Sequence, residues 1–173
     1  PLIRDFVPLA SIDDLVFGAW DPIPDDAYTA AKKAGVLEDR HLDPLKDYLS
    51  SIRPMPAVFE NRYVTRLHGD NVKTGKTKRD LAEQLRADIR AFKADNRCDR
   101  VVAVWCASTE IYIKPSAVHQ TLEAFERAMA ENHNEIAPSM LYAWACLMEN
   151  VPYNNGAPNL SVDTPALVHL AHE

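Results

Sequence analysis

Three polar segments of the chain contain the residues that could bind a ligand. Ala107–Glu110 follows the apolar run Val101–Cys106, and Asp21 comes shortly after the apolar run Leu15–Ala19. Asn154–Asn159 holds three amide side chains, a glycine and a proline within six residues. Because open α/β sheets bind ligands in the crevice outside the carboxyl ends of their strands, polar residues after two apolar strands predict a shared binding crevice.

Each segment offers a different contact to a polar ligand. The Asp21 carboxylate can accept hydrogen bonds from two ribose hydroxyls. Small side chains in Ala107–Thr109 let a ligand approach the backbone, where N–H groups and hydroxyls hold sugar or phosphate oxygens. The amides suit the orientation of a polyhydroxylated ligand, and Asn155-Gly156 favours a turn with positive φ. The alternatives stay open: Asp21 forms a turn before Pro22, and the other two segments are ordinary connecting loops.

Cysteine and histidine spacing predicts no metal site. The sequence has three cysteines, Cys98, Cys106 and Cys146. Their odd number and wide spacing indicate neither a disulfide framework nor zinc, so we interpret them as small buried hydrophobic residues. His169 and His172 lie three residues apart without a third ligand, which is typical of surface histidines. His68, in a polar stretch, is the one histidine that we keep as a possible ligand contact.

The composition is that of a globular chain. Its 173 residues fit one domain, and 47% of them are hydrophobic. A formal net charge of −6 excludes nucleic acid as the main partner, since phosphate contacts need clustered cations. We interpret the short basic run Lys73–Arg79 as a solvated face. Without an apolar run of membrane-spanning length or a signal peptide, we expect a cytoplasmic protein with no membrane partner.

The apolar patterns predict an α/β fold with about seven helices. Leu15–Ala19 favours a buried strand, and Val101–Cys106, which is apolar without alternation, predicts a central parallel strand covered on both faces. The first helix is capped by Asp25 or Asp26 and ends at Gly35. The later helices are predicted at Leu42–Ile52, Tyr63–Leu67, Leu81–Phe92, Val118–Met129, Ser139–Glu149 and Pro165–His172.

Two features indicate that the fold is incomplete. The Ser139–Glu149 helix is apolar almost all round, so it must be buried between layers or between subunits. Two strands are too few for a stable sheet beside so many helices, which predicts missing strands outside this chain. Because the chain starts at Pro1 without an initiator methionine, we interpret it as a piece of a longer protein.

Six fragments of the sequence resemble the myo-inositol-1-phosphate synthase family, in family order and over nearly all 173 residues. They are Leu15-Val-Phe-Gly-Ala-Trp-Asp21, Arg53-Pro-Met-Pro-Ala-Val-Phe59, Asp88-Ile-Arg-Ala-Phe-Lys93, Asp99-Arg-Val-Val-Ala-Val-Trp-Cys-Ala-Ser-Thr-Glu110, Glu135-Ile-Ala-Pro-Ser139, and Gly156-Ala-Pro-Asn159 after Val151-Pro-Tyr. The Trp-Asp, Thr-Glu and Asn-Gly-x-Pro signals are specific when taken together.

The resemblance implies part of a Rossmann-like NAD-binding domain, with parallel strands covered by helices. It implies an NAD-dependent, redox-neutral isomerase that converts glucose 6-phosphate to inositol phosphate by oxidation, aldol cyclisation and reduction. Family members are usually tetramers, so we expect a homo-oligomer. The family also places the enzyme in inositol and phospholipid biosynthesis.

Position by position, the resemblance implies a set of cofactor contacts and no catalytic residue. Asp21 matches the acid that binds NAD, and Val58 matches an apolar cofactor contact. Cys106, Ala107, Ser108 and Thr109 match the strand end that binds the cofactor, and Gly156 and Ala157 match a further contact. Cys106 and Ser108 depart from the common Thr and Asn, as in a bacterial branch. His68 stands where the family often has Gln.

The family pattern extends beyond both ends of the chain. Its glycine-rich pyrophosphate loop belongs upstream of Pro1, and its catalytic lysines and phosphate-binding loop belong downstream of Glu173. We therefore expect residues 1–173 to be one segment of the NAD-binding domain, inactive when isolated. The alternative is a non-catalytic α/β binding or regulatory module that keeps the family scaffold. An intact parent mass equal to the 19.4 kDa of this chain would favour the module.

Overall fold

A computed structural model describes all 173 residues, Pro1–Glu173. Seven α-helices accompany one pair of parallel strands, which confirms the predicted α/β class. The elements in chain order are α1 (Ala27–Ala34), α2 (Asp39–Leu42), α3 (Lys46–Ser51), α4 (Lys78–Asp95), β1 (Ala103–Trp105), α5 (Leu122–Ala130), α6 (Pro138–Met148), β2 (Tyr153–Asn155) and α7 (Pro165–Leu170).

Side-chain caps fix the ends of α1 and α4. The Asp26 carboxylate accepts a hydrogen bond from the Thr29 N–H at 2.8 Å, and Gly35 ends α1 with a φ of 64°. Thr77 and Asp80 form a reciprocal capping box at the start of α4. Since caps satisfy N–H groups that have no partner in the first turn, these residues define where each helix begins. Both predicted helices are confirmed, including the glycine end of α1.

Other predicted helices are shorter than expected or absent. In the Leu42–Ile52 region, a 3₁₀ turn at Asp43–Leu45 separates α2 from α3, because Pro44 has no N–H with which to continue an α-helix. Residues 61–66 form turns, so the short helix predicted at Tyr63–Leu67 is wrong. The helix predicted at Val118–Met129 starts as another 3₁₀ turn, Ala117–His119, and becomes α-helical only in α5.

The core lies between α4 and α6, which pack against each other. Nine of the eleven residues of α6 are buried, and Leu141 and Trp144 have no exposed surface. Leu85 and Ile89 on α4 and Phe125 on α5 belong to the same cluster of 20 buried residues. The predicted burial of the apolar helix is therefore confirmed, and the layers that bury it belong to this chain.

The two strands pair in parallel, with Ala103 opposite Tyr153 and Trp105 opposite Asn155. Ala103 and Trp105 pack against the core, whereas Val102 and Val104 remain 65% and 57% exposed. Helices of this chain thus cover one face of the strand only. The prediction that Val101–Cys106 is covered on both faces is wrong for this chain, because no described element lies over the second face.

The predicted strand at Leu15–Ala19 is wrong. Leu15, Val16 and Phe17 are exposed, and the segment pairs only at its carboxyl end, where Trp20 bridges to Met55 in parallel. A strand needs neighbours along its length to satisfy its backbone, and here the pairing involves one residue. The apolar composition predicted burial, but this chain supplies no element to bury the segment.

None of the helices combines the length and the apolar character needed to cross a membrane. The longest, α4, has 18 residues and carries charges along its outer face.

Candidate functional site

The segment after β1 presents an open row of backbone donors. Cys106–Thr109 is exposed, and none of the N–H groups from Ala107 to Glu110 donates a hydrogen bond within the chain. The Ser108 and Thr109 hydroxyls also lack partners, and the row ends where the Ile111 N–H donates to the Tyr63 carbonyl at 2.8 Å. Free N–H groups and hydroxyls side by side can hold the oxygens of a sugar or a phosphate.

Tyr142 on α6 brings three of the predicted site segments together. Its ring centroid lies 5.3 Å from the rings of both Trp20 and Trp105, the residues just before Asp21 and Cys106. Its hydroxyl oxygen accepts a hydrogen bond from the Val58 N–H at 2.8 Å. Burial raises the pKa of Tyr142, so the hydroxyl stays neutral. One buried side chain therefore connects the ends of two sequence-distant segments with the connector between them.

Gly156 holds the fourth segment against β1. Its N–H donates to the Trp105 carbonyl at 2.8 Å, and a Cβ at this position would lie 2.9 Å from that oxygen. Glycine is therefore needed for close approach of two backbones. The predicted positive φ is wrong, because Gly35 is the only glycine with that conformation and Tyr153–Asn155 is a strand.

Asp21 is exposed at the end of its segment, and its carboxylate takes part in a turn. Its Oδ1 accepts the Ile23 N–H at 2.8 Å, so the turn interpretation is confirmed. Its backbone is fixed by hydrogen bonds from its N–H to the Met55 carbonyl and to its carbonyl from the Asn71 side chain. The second carboxylate oxygen has no partner within the chain and stays free to accept ligand hydroxyls. The role of Asp21 in binding stays a prediction.

The remaining predicted contacts differ in accessibility. Val58 is only 3% exposed and belongs to the core, so its side chain offers little surface to a ligand. Ala157 is partly exposed, with its N–H bound to the Asn155 side chain at 3.1 Å. The Asn155 amide in turn donates to the Asn159 backbone carbonyl at 2.9 Å and so holds its own segment, whereas the Asn159 amide donates to Glu110 and Ser139. Only Asn154 projects its amide without an internal partner.

The three cysteines do not share the predicted burial. Cys146 is buried, and desolvation raises the pKa of its thiol to about 12. Cys98 is half-buried, and Cys106 is exposed at the end of β1. The prediction is therefore wrong for Cys106, because the strand that precedes it ends at the surface.

A cleft of about 360 Å³ adjoins the row of free donors. Residues 63–67 form one wall, with Arg66 among them, and residues 108–111 form the other. His68 lies outside this cleft and faces Asn61, with 3.0 Å between its Nδ1 and the amide nitrogen. The cleft is therefore continuous with Ser108 and Thr109 but does not include the predicted histidine.

Lys78 is a buried cation that the sequence did not reveal. Its side chain is 3% exposed and donates to the Tyr63 hydroxyl at 2.7 Å, to the His133 carbonyl at 2.9 Å and to the Ile136 carbonyl. Desolvation lowers its pKa to about 8 despite the Glu60 carboxylate 3.4 Å away. The solvated-face interpretation of the basic run is therefore wrong here. Lys78 shares the helix face of the apolar stripe on α4, a signal that could have shown its burial.

Glu110 is the second residue whose role the sequence did not reveal. It follows the exposed segment Cys106–Thr109, yet it is only 4% exposed. Burial raises the pKa of its carboxyl group, and hydrogen bonds from Ser139 oppose that rise. No group of three or more His, Cys, Asp or Glu side chains is arranged to hold a metal ion.

Comparison with known proteins gives one consistent result. The sequence model of the myo-inositol-1-phosphate synthase family, which describes an NAD-binding domain, matches residues 1–173. Inositol-3-phosphate synthase 1 of Bacteroides thetaiotaomicron is 52% identical over 167 residues, which cover 96% of this chain and 39% of that protein. Inositol-3-phosphate synthase of Trypanosoma brucei brucei is 38% identical over 173 residues, covering 98% of this chain and 33% of that protein.

The fold agrees with a solved relative. The crystal structure of inositol-3-phosphate synthase from Caenorhabditis elegans superimposes with a TM-score of 0.91 at 30% identity, over 97% of this chain and 34% of that chain. The fold is accordingly part of a Rossmann-like NAD-binding domain, as the sequence predicted. The chain spans between 33% and 39% of the length of these relatives. It belongs to the myo-inositol-1-phosphate synthase family and contains sequence of that family's NAD-binding domain.

Proposed function

We propose that this chain is the NAD-binding portion of a synthase that converts glucose 6-phosphate to myo-inositol phosphate. The observation that carries the proposal is the convergence of four segments around Tyr142 and β1, in a chain that matches the family over residues 1–173. Ligands of open α/β sheets bind at the carboxyl ends of the strands, which is where these segments meet.

The residues present suit a dinucleotide. The free carboxylate oxygen of Asp21 would accept ribose hydroxyls, and the donors of Cys106–Thr109 would hold sugar or phosphate oxygens. Gly156 leaves a surface without a side chain beside β1, and Ala157 extends it. Val58 would act mainly by holding the connector behind the site, since its side chain is buried.

The chemistry is divided between this chain and the rest of the protein. When bound, NAD would accept a hydride from the sugar and return it after ring closure. The residues of this chain bind and orient the cofactor, and none is assigned a catalytic role. We infer that the glycine-rich loop and the catalytic lysines lie in other parts of the same polypeptide, so residues 1–173 form one segment of the domain.

The cellular setting follows from the same proposal. Such a synthase would act on glucose 6-phosphate in the cytoplasm, as a homotetramer, and would supply inositol for phospholipid biosynthesis. The 52% identity to a bacterial inositol-3-phosphate synthase supports the synthase activity that this setting presupposes.

The substitution Asp21→Asn in the complete gene product tests the site. Asparagine keeps an oxygen that can accept the Ile23 N–H but removes the negative charge. Because hydrogen bonds to a charged group contribute about 1.5–3 kcal/mol, we expect the Kd for NAD to rise about tenfold or more in a calorimetric titration. Asp47→Asn is the matched control, since Asp47 is an exposed aspartate in α3, outside the segments of the proposed site. Equal NAD affinity in both variants would contradict the assignment of Asp21.

A turnover assay tests whether residues 1–173 bind the cofactor while the catalytic residues lie elsewhere in the protein. The complete gene product with NAD should convert glucose 6-phosphate, whereas residues 1–173 alone should not. Turnover by the isolated chain would overturn the proposed division. NAD binding by the complete product without any turnover would favour the non-catalytic module.

A further inference from the structure

A buried carboxylate lies directly behind the proposed cofactor contacts. Glu110 Oε1 accepts the Ser139 N–H at 2.9 Å, and Oε2 accepts the Ser139 hydroxyl at 2.5 Å. The Asn159 amide donates to the same Oε2 at 3.3 Å and to the Ser139 hydroxyl oxygen at 3.0 Å. All three residues are buried, with Glu110 and Asn159 at 4% exposure and Ser139 at 0%. Three donors thus satisfy a charge that would otherwise be costly to bury.

Glu110 also completes the start of α6. The N-cap residue of this helix, Ala137, has no side chain that can accept a hydrogen bond. The Glu110 carboxylate accepts from Ser139 in the first turn, so a residue from the segment after β1 does what a cap residue usually does. A negative charge at this end of a helix is stabilised by the helix dipole. The end of β1 is therefore attached to the most deeply buried helix of the chain.

The same network reaches the segment after β2. The Asn159 carbonyl accepts the Asn155 amide at 2.9 Å, and the Asn155 side-chain oxygen accepts the Ala157 N–H at 3.1 Å. The path of hydrogen bonds therefore runs from Glu110 to Ala157. At one end of this path, Glu110 follows Cys106–Thr109. At the other end, Ala157 follows Gly156. Under the proposed function, both of these backbone segments contact NAD.

We propose that Glu110 is a positioning residue for NAD, holding the segments after β1 and β2 in one fixed relation through Ser139 and Asn159. The inference rests on the proposed function. Glu110 itself does not face the cofactor, because its carboxylate points into the core. Its removal should affect cofactor binding by letting the exposed donors of Cys106–Thr109 and the Gly156 backbone move apart.

The test compares Glu110→Gln with Glu149→Gln in the complete gene product. Glutamine keeps the shape of Glu110 but turns one acceptor into a donor that faces the donors of Ser139 and Asn159. Glu149 lies at the opposite end of α6, where it binds Arg86 at 2.7 Å, and serves as the matched control. We expect Glu110→Gln to raise the Kd for NAD at least tenfold, because small displacements of binding groups are costly. The KM for glucose 6-phosphate at saturating NAD should change less than twofold, and Glu149→Gln should leave the Kd for NAD unchanged.

A second pair of variants applies if Glu110→Gln does not fold. Ser139→Ala removes only the bridging hydroxyl, and Ser139→Thr keeps it. Weaker NAD binding in Ser139→Ala with recovery in Ser139→Thr supports the proposal. Folded Glu110→Gln or Ser139→Ala with wild-type affinity for NAD overturns it, while the proposed function stands. Absence of NAD binding by the wild-type protein instead overturns the proposed function, and the positioning role with it.

Discussion

The helical layer of this chain and its strand edges differ in how completely they are buried. Leu141 and Trp144 of α6 have no exposed surface, and α4, α7 and β2 all pack against this helix. Val104 of β1 and the preceding Val102 remain 57% and 65% exposed, and Phe17 is 65% exposed. The run Val101–Cys106 is apolar throughout and α6 is apolar almost throughout, so composition does not explain the difference. The two regions differ in whether this chain contains an element that packs against their apolar side chains.

The proposed cofactor contacts lie where these two regions meet. Tyr142 belongs to the buried layer, and the exposed Cys106–Thr109 segment belongs to the strand edge. Rigid residues from the core thus hold exposed backbone groups in place, which is the arrangement that binding sites need.

The largest expected effect on the free energy of unfolding distinguishes the buried helical layer from the exposed strand edge. Leu141→Ala in the 173-residue chain should lower the free energy of unfolding by about 2–5 kcal/mol, because it leaves a cavity in the core. Val104→Ala should change it by about 0.5 kcal/mol or less, since this side chain is mostly exposed. Urea unfolding followed by circular dichroism measures both. Equal losses would show that the strand edge is as buried as the helices.

Replacement of Lys78 by methionine should have the second-largest effect on the free energy of unfolding. Its Nζ satisfies two backbone carbonyls, so Lys78→Met should lower the free energy of unfolding by about 1–3 kcal/mol at pH 7. The pKa of Lys78 is lowered to about 8, from 10.5 in the unfolded chain. Between pH 8 and pH 10 the unfolded state therefore holds more protons, and the wild-type contribution of this residue to stability rises with pH.

The pH dependence of the stability difference between wild type and Lys78→Met serves as an internal control for this prediction. Urea unfolding at pH 7, 8, 9 and 10 should show the difference between wild type and variant growing with pH. A solvated lysine would give a constant difference over this range.

Gly156→Ala should act mainly on binding. Its Cβ would lie 2.9 Å from the Trp105 carbonyl oxygen, forcing the end of β2 away from β1. We expect the Kd for NAD to rise about tenfold, which corresponds to about 1.4 kcal/mol. Gly75→Ala is the control, because its nearest neighbour is the flexible end of the Leu81 side chain at 3.1 Å. Calorimetric titration with NAD compares the two, and an unchanged affinity in Gly156→Ala would remove this segment from the site.

Tyr142→Phe should have the smallest effect. It removes the partner of the Val58 N–H but keeps both aromatic contacts, so we expect a loss of about 1 kcal/mol in the free energy of unfolding. Tyr48→Phe is the control, since Tyr48 is exposed. A thermal denaturation series with both variants measures the difference, and identical midpoints would show that the hydroxyl does not hold the connector.

The helices were predictable because their signals are local. Asp26, Thr77 and Gly35 mark helix ends through their own side chains or conformations, and the apolar stripe of α4 lies within one helix. The strands were predictable only in part. The parallel strand β1 lies within the predicted run Val101–Cys106, but the burial of Leu15–Ala19 and Val104 depends on elements distant in sequence or absent from this chain. Apolar composition alone cannot distinguish a covered face from an uncovered one.

The site was predictable in part for the same reason. The polar residues after the two segments could be found from their positions, and the tryptophans that precede them, Trp20 and Trp105, both contact the Tyr142 ring. The close approach at Gly156 depends on a contact with Trp105, and the burial of Glu110 depends on contacts with Ser139. Both partners are distant in sequence, so no local sequence pattern predicts either feature.

A crystal structure of the complete gene product with NAD tests the central claim most directly. We predict a ribose hydroxyl within hydrogen-bond distance of the Asp21 carboxylate, and cofactor oxygens bound to backbone N–H groups of Ala107–Thr109 beside Gly156. A cofactor that touches none of these three segments would contradict the account, whatever the activity of the protein.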